Sequence, residues 1–310
     1  MAPRQRGLPI HGWVILDKPL GMSSSRAVGA VRRCLGAAKA GHGGTLDPLA
    51  TGVLPIALGE ATKTVSYVMG GRKAYRFALC WGEARDTDDA EGRVIATSPE
   101  RPSRAAIEAV LDAFRGRISQ MPPAYSALKR DGARAYELAR AGQVPDLAAR
   151  PVEVDRLDLV DLPDPDHATF EAVVGKGTYI RALGRDLGRE LGCYAYVTAL
   201  KRLSVGPFAL DRAISLDKLV ALGHSAATSE HLLPLETALD DIPALALTED
   251  EVRALRCGQA VARLRLQDRA PLDGMMDGAT IRATSNGRLV ALVAVEAGLI
   301  RPVRVMNHWA

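Results

Sequence analysis

Two apolar periods alternate along most of this 310-residue chain, and after Pro234 the helical one all but disappears. Ala27, Val28, Val31 and Leu35 recur at helical spacing behind Ser23, Ser24 and Ser25, which offer N-caps. Ile180, Leu183, Leu187 and Leu191 form a second helical stripe after Gly177-Thr178, and 103–114 reads as an amphipathic helix that Ser103 caps. Tyr75, Phe77 and Leu79 instead alternate with Arg76, Ala78 and Cys80, as half-buried strands do, and 152–160 and 169–174 alternate likewise. Short apolar runs at 12–16 and 197–203 add strands, 41–44 and 83–92 read as loops, 121–125 as extended and 136–140 as helical. Together these periods predict an α+β chain. Beyond Pro234 only a short helix at 248–256 is expected, followed by β runs at 261–266, 280–283, 289–295 and 301–305 between Gly, Asp and Asn. The expected division is therefore a domain at 1–245 and a small β domain at 246–310.

Composition narrows the function classes. With 47% hydrophobic and 25% charged residues the chain buries a core, which excludes disordered, collagen-like and disulfide-scaffold classes. No apolar run approaches the ~18 residues of a membrane span, and Arg4 and Arg6 are not followed by an apolar signal core. A soluble cytoplasmic protein without membrane contact is expected. Residues 1–80 carry 11 basic and 3 acidic side chains, and 251–310 carry 9 and 5, while 81–250 are acidic on balance. Basic ends suit a polyanion, although ordinary solvated surface gives the same sums. Cys34, Cys80, Cys193 and Cys257 form no CxxC pair, and the six histidines show neither HxxxH nor HExxH. Phosphate-loop and dinucleotide motifs are missing too. The chemistry is expected to use side chains alone, without metal or organic cofactor.

The most unusual stretch is Gly41-His42-Gly43-Gly44-Thr45-Leu46-Asp47-Pro48-Leu49-Ala50-Thr51-Gly52. Taken by itself it reads as Asp47 capping a helix whose first residue is Pro48, behind a glycine loop. Extended to Lys63, however, it resembles the signature of pseudouridine synthases of the bacterial tRNA uridine-55 type. Further blocks agree in order: Leu16-Asp17-Lys18-Pro19-Leu20-Gly21-Met22-Ser23-Ser24, Lys73-Ala74-Tyr75-Arg76, the run from Pro122 to Lys129, and Gly177-Thr178-Tyr179-Ile180-Arg181. The resemblance covers about residues 10–235. It departs at Gly43, where the family carries a larger residue, so a looser loop around His42 is expected.

The resemblance implies a mixed-sheet pseudouridine synthase domain followed by a small domain of PUA type. It implies isomerisation of uridine to pseudouridine at position 55 in the T-loop of tRNA. Asp47 would be the catalytic carboxylate, attacking covalently or abstracting a sugar proton. Burial drives a carboxylate toward protonation and a cation opposes that, the part the resemblance gives to Arg181. Arg181, Arg185 and Arg189 also recur every four residues, as on a solvated helical face. Tyr75 would stack on the flipped uracil, although its strand position equally suits a core aromatic. His42 would support the flipped RNA or be a plain loop histidine, and Leu200 would line the pocket or be a plain core leucine. Tyr179 would pack against Asp47 or the base, and Lys18-Pro19 would brace the active loop. The C-terminal resemblance is thinner, resting on the β pattern, Gly287 and residues 301–305. The expected partner is the tRNA T-stem-loop, bound by a monomer needing no protein partner. An idle RNA binder on the same fold, or a small-molecule hydrolase using Asp47, are the competing classes.

Overall fold

The computed structural model describes residues 7–126, 129–130, 133–134, 147–223, 230–262 and 276–307. Among them a mixed sheet runs in the order Ile214–Ser215, Gly12–Lys18, Ala50–Leu58, Ala195–Val205, Lys73–Trp81, His167–Val174, Arg150–Asp164 and Gly116–Gln120. Two joints along this path are parallel: Gly12–Lys18 on Ile214–Ser215, and Ala50–Leu58 on Ala195–Val205. The second sets Leu200 opposite Ala50, so a strand from late in the chain lies beside the end of the Asp47 loop.

Alternation decides the faces. Tyr75, Phe77, Leu79 and Trp81 of strand Lys73–Trp81 are buried while Arg76 is exposed. Phe77 stacks on Phe170 with ring centres 5.4 Å apart, and Trp81 meets the same ring edge-on. Ser23 caps the helix Ser24–Cys34 by accepting from the Arg26 amide, and Ser103 caps Arg104–Val110 in the same way. The helix Ile180–Glu190 lies unusually close to the sheet because two of its residues lack a side chain. A Cβ on Gly184 would stand 2.6 Å from Leu79 Cδ2, and one on Gly188 2.4 Å from the Ala195 nitrogen. That seat buries the first turn of the helix, Arg181 included.

Gly41 and His42, expected in a loop, belong to a short strand, Ala40–His42. The parallel neighbour covers only Ala50–Gly52, and Ala40–His42 takes the backbone groups left free at Ile56–Leu58. Glu83–Arg85, expected within an acidic loop, pairs with Val94–Thr97. The helix expected at 136–140 lies outside the described residues, as does 263–266 of the strand expected from 261.

A second sheet orders Ala244–Ala246, Thr280–Ser285, Arg288–Glu296, Leu299–Val305 and Val261–Ala262, beside a helix Glu249–Arg256 with a Thr248/Glu251 capping box. Its central strand is buried on both faces. Ala291, Val293 and Val295 face its own small core, whereas Leu289 and Leu292 pack with Trp13, Ile15 and Val68 of the larger sheet region. No helix among the described residues is long and apolar enough to cross a membrane.

Candidate active site

Between Ala40–His42 and Ala50–Leu58 the backbone is irregular, yet its carbonyls are systematically engaged. Gly44 and Thr45 are held by Arg202. Leu46 O accepts from Ser24 Oγ at 2.9 Å while the same hydroxyl accepts the Leu46 amide at 2.8 Å. Asp47 O accepts from the Ala50 amide, and Pro48 O from the Gly21 amide at 2.9 Å and Lys18 Nζ at 3.4 Å. Asp47 is thus no helix cap: a turn follows it, and the chain enters a strand at Ala50 because the sheet edge captures it there. Lys18, fully buried, also donates to Pro19 O and Met22 O, which closes the turn beneath the loop. Burial lowers its pKa to about 8, with the Asp47 charge acting in the opposite sense.

Arg181 meets Asp47 across the cleft wall. Its Nε and Nη2 both stand 3.0 Å from Asp47 Oδ2. Nη1 donates to Thr87 O and Nη2 to Tyr125 O, each at 2.9 Å, and Asp89 Oδ2 lies 3.6 Å from Nε. The Arg181 side chain is 5% exposed and that of Asp47 40%, so the carboxylate is clamped on one side and open on the other. One turn on, Arg185 pairs with Asp88 at 3.0 Å and with Asp186, and donates to Met121 O. Burial pushes the Asp88 carboxyl up, against the pull of Arg185 and Arg181. Only Arg189, 63% exposed, remains a solvated cation of the arginine stripe. The first two point inward because carboxylates from 88–89 neutralise them.

Asp47, Tyr75, Tyr179, Arg181 and Leu200 all line a single cleft of about 350 Å³, together with Lys73, Arg150 and Lys176. Tyr75 and Leu200 are nearly buried, presenting apolar surface beside the carboxylate. Tyr179 is fixed by Gln120, whose Oε1 accepts the Tyr179 amide at 2.9 Å and whose Nε2 donates to its carbonyl. The Arg150 guanidinium stands over the Tyr179 ring at 5.3 Å. His42 is the exception. It is not among the residues that line the cleft, its Nδ1 accepts from the Gly44 amide, and burial with the Arg202 charge holds its imidazole below the ordinary range.

The slack expected from Gly43 does not occur. Its amide donates to Pro55 O at 2.8 Å, and a Cβ there would lie 2.7 Å from Val68 Cγ1, so Val68 fills the missing side chain's place. Several participants carried no signal of their own in the sequence: Asp88 and Asp89, Gln120 and Lys176, while Ser24 and Lys73 stood in the matching motif blocks without an assigned role. Asp88 and Asp89 sat inside the acidic loop at 83–92, and only the fold brings them to Arg181 and Arg185. Among the described residues no cluster of His, Cys, Asp and Glu is arranged to hold a metal ion.

The model of the TruB family pseudouridylate synthase (N terminal domain) matches residues 32–180, and that of the tRNA pseudouridylate synthase B C-terminal domain matches 181–240. The tRNA pseudouridine synthase B of Rhodospirillum rubrum is 55% identical over 307 residues, covering 99% of this chain and all of its own. That of Bradyrhizobium diazoefficiens is 57% identical over 303 residues, covering 96% of this chain and 86% of its own. A chain of the crystal structure of a Cbf5-Nop10-Gar1 complex superposes with a TM-score of 0.75 at 26% identity, over 96% of this chain and 84% of the other. Fold, cleft and sequence agree, and the chain belongs to the TruB family of pseudouridylate synthases.

Proposed function

We propose that this protein isomerises uridine to pseudouridine at position 55 in the T-loop of tRNA, and that Asp47 is its catalytic carboxylate. The observation that carries this reading is the half-open Asp47 carboxylate, clamped by buried Arg181 in a cleft walled by Tyr75 and Leu200. Uridine must lose its N1–C1′ bond, turn while held, and rejoin through C5. Nucleophilic attack and sugar-proton abstraction both need an ionised oxygen facing the nucleoside. The Arg181 contact leaves Asp47 partly open for that purpose. A stacked base is out of reach, so the uridine is flipped out, with Tyr75 stacking on it and Leu200 opposite. Tyr179, held by Gln120, borders the base, and His42 supports the flipped RNA through Gly44. Lys73, Arg150 and Lys176 at the cleft suit phosphate.

The boundary near residue 245 separates a catalytic domain from a PUA-type domain whose exposed Arg301 and Arg304 suit RNA. Because Leu289 and Leu292 also cover Trp13, Arg301→Ala and Arg304→Ala probe that domain better than its removal. The enzyme works in the cytoplasm as a monomer, without metal or organic cofactor. Incubation with an unmodified tRNA transcript, followed by mapping of pseudouridine, tests the activity. Conversion confined to position 55 is expected. Asp47→Asn is expected to stop it while tRNA affinity stays within a few-fold of wild type. Tight binding without conversion by the wild-type protein would leave an RNA binder on a synthase fold.

A further inference from the structure

We propose that Arg202 is a positioning residue for Asp47, fixing the loop that carries the carboxylate to the sheet behind it. The proposal rests on the assignment of Asp47 as the catalytic group. Arg202 is 1% exposed, and among the described residues no carboxylate pairs with it. A buried cation without a counter-ion is costly unless its donors are all engaged. Here each of the three guanidinium nitrogens donates to a carbonyl: Nε to Val53 O at 2.8 Å, Nη2 to Gly44 O at 2.9 Å and Nη1 to Thr45 O at 3.3 Å.

The two ends of this bridge differ in kind. Val53 belongs to strand Ala50–Leu58 and is held by its ladder, whereas Gly44 and Thr45 lie in the irregular stretch just before Asp47. One rigid, planar group therefore sets the distance between a fixed strand and the start of the catalytic loop. The strand carrying Arg202 approaches closely enough only because residue 52 is glycine. Gly52 has φ +96°, and a Cβ there would stand 2.2 Å from Arg202 O. The charge is also felt nearby, since alongside burial it depresses His42, Lys73 and Lys18. A lysine also has three N–H donors, but they radiate from one compact ammonium, so it cannot span the Val53 carbonyl on the strand and the Gly44 and Thr45 carbonyls on the loop as the planar fork does.

The test compares Arg202→Lys and Arg202→Met with wild type and Asp47→Asn, measuring the melting temperature, tRNA affinity and the single-turnover rate constant on an unmodified tRNA transcript. Small displacements of reacting groups cost on the order of a hundredfold in rate. The expected result is a loss of about tenfold or more for lysine and about a hundredfold for methionine, with affinity within about threefold of wild type. If the methionine variant does not fold, the lysine variant decides alone. A rate within tenfold of wild type, an affinity loss matching the rate loss, or a lysine variant that cannot fold overturns the proposal. Failure of the underlying reading looks different: wild type then makes no pseudouridine, or Asp47→Asn turns over normally.

Discussion

The Asp47 loop at 43–49 and the strand Arg288–Glu296 are held by opposite means. The strand has backbone partners on both sides and apolar side chains on both faces, with Leu292 and Val293 fully buried. Its ladder is a repeated pattern with neighbouring strands, although Leu289 and Leu292 also pack with Trp13 and Ile15 and the Leu289 amide donates to Glu236. The loop has almost no ladder, and its carbonyls are met by side chains of Lys18, Ser24 and Arg202, with Arg181 on the carboxylate itself. Those residues span most of the chain. Apolar burial tolerates substitution by degrees, whereas a set of interlocked polar contacts fails when one member leaves its partners unsatisfied. Stability and activity should therefore separate when the two regions are perturbed.

Arg181→Met is the most severe way to test this. It strands Asp47, Asp89 and the carbonyls of Thr87 and Tyr125 together. Breaking a buried pair costs about 3–5 kcal/mol, and loss of carboxylate orientation should lower the single-turnover rate by about a thousandfold. Leu292→Ala in the small sheet should cost a comparable 2–5 kcal/mol in urea unfolding. Below its melting temperature it should turn over tRNA within about threefold of wild type, since it is not among the residues that line the cleft. Equal losses of rate in the two variants would erase the distinction between the regions.

The same contrast explains what was legible beforehand. The alternation of Tyr75, Phe77 and Leu79, the Ser23 and Ser103 caps and the run 289–295 are local, and each stands where its period placed it. Asp47 read locally was a helix cap; only the resemblance of whole motif blocks singled it out. Asp89, Gln120 and the carbonyl contacts of Arg202 were invisible because no periodicity encodes a bond across 157 or 158 residues. The arginine stripe left two readings open for a related reason. Spacing puts Arg181 and Arg185 on one helical face but does not say that Asp88 and Asp89 wait opposite.

Alkaline pH should divide activity from stability within the loop itself. Folding lowers the Lys18 pKa to about 8, from an ordinary value near 10.5. Over that window the unfolded chain binds more protons, so this group's contribution to folding stability rises with pH. The ammonium, however, donates to Pro19, Met22 and Pro48 carbonyls, and the neutral amine has one N–H fewer. Turnover is therefore expected to fall by several-fold as pH passes about 8 while the unfolding midpoint holds. Lys73, in the cleft, is also lowered to about 8, chiefly by burial. Persistence of the alkaline limb in Lys73→Met assigns it to Lys18; its disappearance reassigns it to Lys73.

The smallest effect belongs to a residue that adjoins the site in sequence but not in space. Arg76 follows Tyr75 directly, within the same motif block, yet successive strand residues point to opposite faces. Its side chain is 57% exposed and crosses to Glu171 on the neighbouring strand, with Nη2 2.7 Å from Oε1. An exposed cross-strand pair of this kind is worth about 0–1 kcal/mol. Arg76→Ala should lower stability by no more than that and leave the single-turnover rate within about twofold, while Tyr75→Ala removes the proposed stacking surface and slows it at least tenfold. A tenfold loss in Arg76→Ala would mean that the outer face of the sheet takes part in RNA binding or in holding Tyr75. The line between the polar site and its scaffold would then have to be redrawn through strand Lys73–Trp81.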